Sequence, residues 1–166
     1  MGNTVQRITI TIPLSYIYVE VHSRTYYEGE ALKRKDIDYV PLQSGADDEA
    51  QLQDFIGTAI NDLQANLIKR VKECDVDIDD DENIVWVLTP YNRVPESDAL
   101  RSSKVLGKAM QDYIVNKCVT EWKRVVVPSL VQTNESQEDM LMYKVQRAVG
   151  MISGIVRRRA TDLCGI

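Results

Sequence analysis

The residues of this chain that could do chemistry are few. His22 is its only His, so general-base catalysis by imidazole rests on one side chain. Cys74, Cys118 and Cys164 are scattered, and no C-x-x-C occurs. A His/Cys zinc site within one chain is therefore not expected, and reduced thiols are the default reading. Asp75, Asp77 and Asp79 alternate as in a calcium loop. However, Asp80 stands where that loop needs Gly, and Trp86 stands where it needs a bidentate Glu. The run Asp75–Glu82 thus reads as a solvated acidic turn. Carboxylates are plentiful, but none sits in an apolar run that would shift its pKa. No G-x-S-x-G, P-loop or G-x-G-x-x-G occurs. The chain reads as a non-enzyme with no cofactor and no metal.

The elements that would position any site start with Ala99–Val127, the longest apolar-periodic run. Leu100, Ser103, Leu106, Met110, Tyr113, Ile114, Lys117, Cys118, Glu121 and Trp122 recur at steps of three and four. Ser97 or Asp98 would cap this central helix, and Pro128 would end it. A second helix is expected over Asp47–Cys74, with Ser44 and Asp47 forming a capping box. A third is expected over Gln137–Arg159, capped by Asn134 or Ser136. In that helix Gly150 and Gly154 read as points of close helix packing.

Two β segments accompany them. Arg7–Ile12 alternates in strict period two and ends at Pro13. Asn83–Tyr91 is its natural partner. Between Leu14 and Thr25, propensity favours strand while the spacing of Leu14, Ile17, Tyr18 and Val21 allows helix. The reading leans to a short helix, with Tyr26–Gly29 as its exit turn. The fold class expected is mainly α (α+β): three long helices packed as a bundle with a two-stranded β element. It forms one domain over 1–166, with an N-terminal strand and arm (1–45), a helical core (46–159) and a short tail (160–166).

Composition narrows the function classes. Hydrophobic content of 44% and charged content of 27% are ordinary for a globular chain, and no apolar run approaches a membrane span. The start lacks a signal-peptide pattern, and Gln6 replaces the Ser or Thr that myristoylation of Gly2 needs. Residues 1–98 hold 9 Lys/Arg against 19 Asp/Glu; residues 99–166 hold 11 against 6. Such a subunit can stack head to tail on copies of itself, or present its basic half to nucleic acid. Eight Tyr against one Phe favour protein contacts, since Tyr buries area and keeps a polar tip. Lys33–Lys35 is too short a basic run for a nucleic-acid patch.

The order of features is familiar. Tyr18-Val19-Glu20-Val21 is followed by Thr25-Tyr26-Tyr27-Glu28-Gly29; Asp47-Asp48-Glu49 opens a helix carrying Leu52, Phe55, Ala59 and Leu63. A strand ends at Pro90-Tyr91-Asn92, a helix carries Tyr113-Ile114-Val115 and Trp122, and a last helix carries Asp139, Tyr143, Ala148 and Val156-Arg157-Arg158. From Val19 to Arg159 this resembles small virion proteins of tailed phages and prophages, of the head–tail connector (adaptor or neck) type. The loops at Lys33–Lys35 and Asp75–Glu82 depart from that pattern. The resemblance implies a structural virion protein, assembled in the host cytoplasm. Its copies would form a homo-oligomeric ring joining the capsid portal to the tail or other neck proteins, around a channel for DNA. Tyr16, Tyr18, Tyr26, Tyr27, Arg157, Arg158 and Arg159 are the candidate assembly or DNA-facing contacts. The alternative is a nucleic-acid-binding module using the basic C-terminal half, with binding that falls steeply with salt.

Overall fold

The computed structural model describes residues 6–35, 44–130 and 132–152. Their order is β1 (Ile8–Pro13), α1 (Leu14–Lys33), α2 (Glu49–Leu67), β2 (Glu73–Ile78), β3 (Asn83–Thr89), α3 (Glu96–Val126) and α4 (Gln132–Ile152). Short 3-10 turns precede α2 at Ala46–Asp48 and α4 at Pro128–Leu130. The chain is mainly helical with a small antiparallel sheet. Among the described residues there are four long helices and three strands, where three long helices, a short one at Leu14–Thr25 and two strands are expected from sequence.

The added strand is β2. Cys74 and Val76 alternate with the exposed acids Glu73, Asp75 and Asp77, which is the pattern of a half-buried strand. The acidic run is therefore a turn only from Asp79 onward. There the Asp79 carboxylate accepts from the N–H groups of Asp81 (3.0 Å) and Asn83 (2.8 Å). These bonds hold its carboxyl below the ordinary carboxylate range. The sheet order is β1-β3-β2, with Ile10, Trp86 and Val76 in one row. The inward row Ile8, Ile10, Ile12, Ile84, Trp86, Leu88 and Cys74 is buried.

The helices differ from expectation at their ends. α1 runs straight through Tyr26–Gly29, because Thr25 and Gly29 continue the buried row of Leu14, Ile17 and Val21. Tertiary burial overrides the β propensity of the segment. The Leu14 N–H donates to the Glu82 carbonyl at 3.0 Å, so the hairpin satisfies the start of α1. α2 stops at Leu67, well before Cys74, since Cys74 is drawn into β2. The box at its entry is one residue later than expected. The Gly45 N–H donates to Asp48 Oδ2 at 2.7 Å and the Asp48 N–H to the Gly45 carbonyl at 3.0 Å. α3 begins at Glu96 behind Pro95, so Ser97 and Asp98 lie in its first turn rather than capping it. α4 begins at Gln132, which leaves Asn134 and Ser136 inside it.

α3 is the hub. It packs against α4, α2, α1 and β1. Leu106, Met110, Tyr113, Ile114, Cys118 and Trp122 are buried as the periodicity requires, while Leu100 is 61% exposed. Close approach occurs at Gly107, where an added Cβ would meet Ile10 Cγ2 at 3.1 Å. At Gly150, expected to mark tight packing, an added Cβ would meet nothing within 4 Å among the described residues. Gly154 lies outside the described residues.

Candidate functional site

α1 is exposed on the side away from the core. At about 100° per residue, Tyr16, Val19, Tyr26 and Tyr27 fall in roughly a 100° sector opposite the row Leu14–Gly29. All four are exposed, Tyr27 at 68% and Val19 at 64%. Tyr26 and Tyr27 meet edge to face, with ring centroids 5.5 Å apart at 68°. Tyr18 does not join them. It packs against the core, its hydroxyl is buried without a hydrogen bond of good geometry, and burial pushes its pKa up. Three of the four sequence-predicted tyrosines thus form one outward stripe. Arg157, Arg158 and Arg159 lie outside the described residues.

The stripe leads to a trough that sequence reasoning missed. Lys108 on α3 sits 5.9 Å from the Tyr16 ring centroid and 2.9 Å from Asp112 Oδ1. From Lys108 a trough runs between α3 and the outer edge of β1. One section, about 410 Å³, is lined by Thr9–Pro13 with Leu100, Lys104 and Gly107. The next, about 750 Å³, is lined by Arg7, Thr9, Arg93, Glu96 and Leu100. Its far end is closed by Gln6, whose side-chain amide donates to the Val94 carbonyl at 2.9 Å and accepts from the Val94 N–H at 2.8 Å. The available sequence signal was the Pro that ends β1, since Pro belongs to edge strands.

Groups that could do chemistry are tied into packing. His22 Nδ1 lies 2.7 Å from the Ser44 hydroxyl, a spacing that a nucleophile–base pair also shows. Ser44 is 1% exposed, however, and its hydroxyl and N–H each lie 3.2 Å from Thr25 Oγ1. Thr25 in turn donates to the Val21 carbonyl at 2.9 Å. These bonds pin the chain before α2 onto α1. Burial raises the Cys74 thiol to about 11 and the Cys118 thiol to about 12, so both are poor thiolates. Among the described residues no group of three or more His, Cys, Asp or Glu could hold a metal ion. Among them, too, no helix is long and apolar enough to cross a membrane.

Comparison of the chain with protein-family models, curated proteins and solved structures finds no match.

Proposed function

We propose that this chain is a structural assembly subunit, of the head–tail connector kind that its sequence resembles. Its copies close into a ring through heterologous contacts. The observation that carries this reading is the outward stripe of Tyr16, Val19, Tyr26 and Tyr27 on α1. Large aromatic side chains exposed in a row on one helix are typical of buried interface cores, where Tyr is enriched. A subunit with an acidic first part and a basic last part also suits head-to-tail contacts, which generate closed rings when the rotation closes.

The test is the mass of the purified protein by native mass spectrometry, with negative-stain imaging. The expected result is a closed oligomer with a central opening. Tyr16→Ser combined with Tyr27→Ser should shift it to monomer while leaving the melting temperature within about 2 °C, because both side chains are exposed. A wild-type chain that stays monomeric at high concentration overturns the reading.

A further inference from the structure

We propose that the edge of β1, which has no strand neighbour among the described residues, accepts an extended acidic strand from a partner protein, which joins the sheet beside β1. The ladder of β1 fixes which of its backbone groups face away from β3. Leu14 N–H bonds the Glu82 carbonyl, which makes Leu14 and Glu82 a hydrogen-bonded pair. Antiparallel pairing alternates, so Ile8, Ile10 and Ile12 turn their backbone groups to β3. Arg7, Thr9 and Thr11 turn theirs outward. The same logic at β2 starts from the Asp79 N–H on the Asn83 carbonyl, and leaves Cys74, Val76 and Ile78 facing outward.

The two edges are treated differently. On β2, Gln64 Nε2 caps the Cys74 carbonyl at 3.3 Å and Asp77 Oδ1 caps the Ile78 N–H at 2.8 Å. Glu73, Asp75 and Asp77 add exposed charge along that strand. These are the usual devices that blunt an edge. Among the described residues no side chain caps the outward groups of Thr9 or Thr11. The edge instead opens on the trough against α3, whose two sections share Thr9, Leu100 and Ser103 and so form one channel. Exposed Leu100 supplies an apolar contact for alternate side chains of an added strand.

Charge selects the occupant. Among the described residues the trough is lined by Arg7, Arg93, Lys104 and Lys108, the last paired with Asp112, against Glu96 alone. Arg7, Arg93 and Lys104 form no salt bridge among the described residues. A second copy pairing through its own β1 brings Arg7 and Lys104 of both copies together, which is repulsive. A strand alternating apolar residues with Asp or Glu fits both the backbone and the charge. Pro13, without an N–H, ends the usable edge at Thr11.

The test uses the full chain, amide-labelled for hydrogen exchange, and two blocked heptapeptides that alternate Val with Glu or Val with Lys. The Glu peptide should slow exchange of the Thr9 and Thr11 amides at least tenfold, and the Lys peptide should not. Thr9→Pro removes one outward donor without touching the β3 ladder, and should abolish the effect. Arg7→Glu with Lys104→Glu, both exposed, should invert the preference toward the Lys peptide. No slowing by either peptide, or equal slowing by both, overturns the proposal. Slowing that grows with protein concentration in the absence of peptide also overturns it, and assigns the edge to a second copy. The outcome is independent of the ring: a monomer that takes the Glu peptide retains the strand-accepting edge.

Discussion

Lys117 on α3 donates to Glu138 Oε1 on α4 across 2.7 Å, and the same ammonium lies 3.5 Å from Asp62 on α2. Glu121, one turn along α3, completes the set at 3.7 Å. One cation thus sits among carboxylates from three helices. Lys117→Met takes the cation from Asp62 and Glu138, while Glu121 keeps Arg124, and should destabilise the fold. The Asp62 side chain is 41% exposed, so the loss is smaller than for a fully buried pair, roughly 1–3 kcal/mol. Urea unfolding of the variant measures it. Glu138→Gln keeps a hydrogen-bond acceptor and should lose less.

Alkali should unfold this protein early. Burial pushes the Tyr113 phenol up from 10.0, and the charges of Glu138 and Asp62 add to that. Burial pulls Lys117 down, but the hydrogen bond and charge of Glu138, with Asp62 and Glu121, outweigh it and raise it above 10.5. The Cys74 and Cys118 thiols rise from 9.0 to about 11 and about 12. Each group holds its proton more tightly folded than unfolded. Its contribution is complete below the unfolded pKa and is lost as pH climbs through the folded one. The melting temperature should therefore hold level to about pH 8.5 and fall steadily above about pH 9. In Cys118→Ala the fall should begin less steeply, whatever the variant's starting stability.

The hairpin between β2 and β3 carries a correctable strain. Glu82 has φ of 58°, a left-handed conformation that L side chains adopt at a cost. Glu82→Gly should stabilise the protein by about 0.5–1 kcal/mol, less than the full relief because Gly also loosens the unfolded chain. Thermal denaturation decides it, and a loss of stability would show that the Glu82 side chain contributes more than its backbone costs.

Three helical glycines should answer differently to one substitution. Gly57→Ala and Gly150→Ala place a methyl with nothing within 4 Å among the described residues, so each should gain about 0.5–1 kcal/mol from helix propensity. Gly107→Ala sets a methyl 3.1 Å from Ile10 Cγ2, and should lose that gain or reverse it. Parallel chemical denaturation of the three variants compares them directly.

Much of the fold was legible because its signals are local. Arg7–Ile12 alternates, and it is the strand that pairs with the segment at Asn83, as expected. The stripes Leu52–Leu67 and Leu106–Trp122 are buried as their spacing requires. Other features depended on distant partners. Glu73–Ile78 carries a period-two pattern, yet its acids argue for a turn until β3 stands beside it. Leu100 fits the α3 periodicity, but at that end it is Ala99 that turns to the core, which leaves Leu100 on the trough. Tyr18 shares a segment with Tyr16, and two steps of 100° around α1 separate a core residue from a surface one.

By itself, the sequence determined the mainly helical class, the buried face of the central helix, and the wealth of tyrosine between residues 16 and 27. Those follow from apolar period and composition, which belong to single segments. Tertiary structure alone decided that β3 is the central strand, that the β2 edge is capped, and that the β1 edge, beside Arg7, Arg93 and Lys104, has no strand neighbour among the described residues. The reason is that strand order and edge capping are pairings between residues far apart in the chain. No local pattern of side chains specifies which edge of a sheet is left without a neighbour.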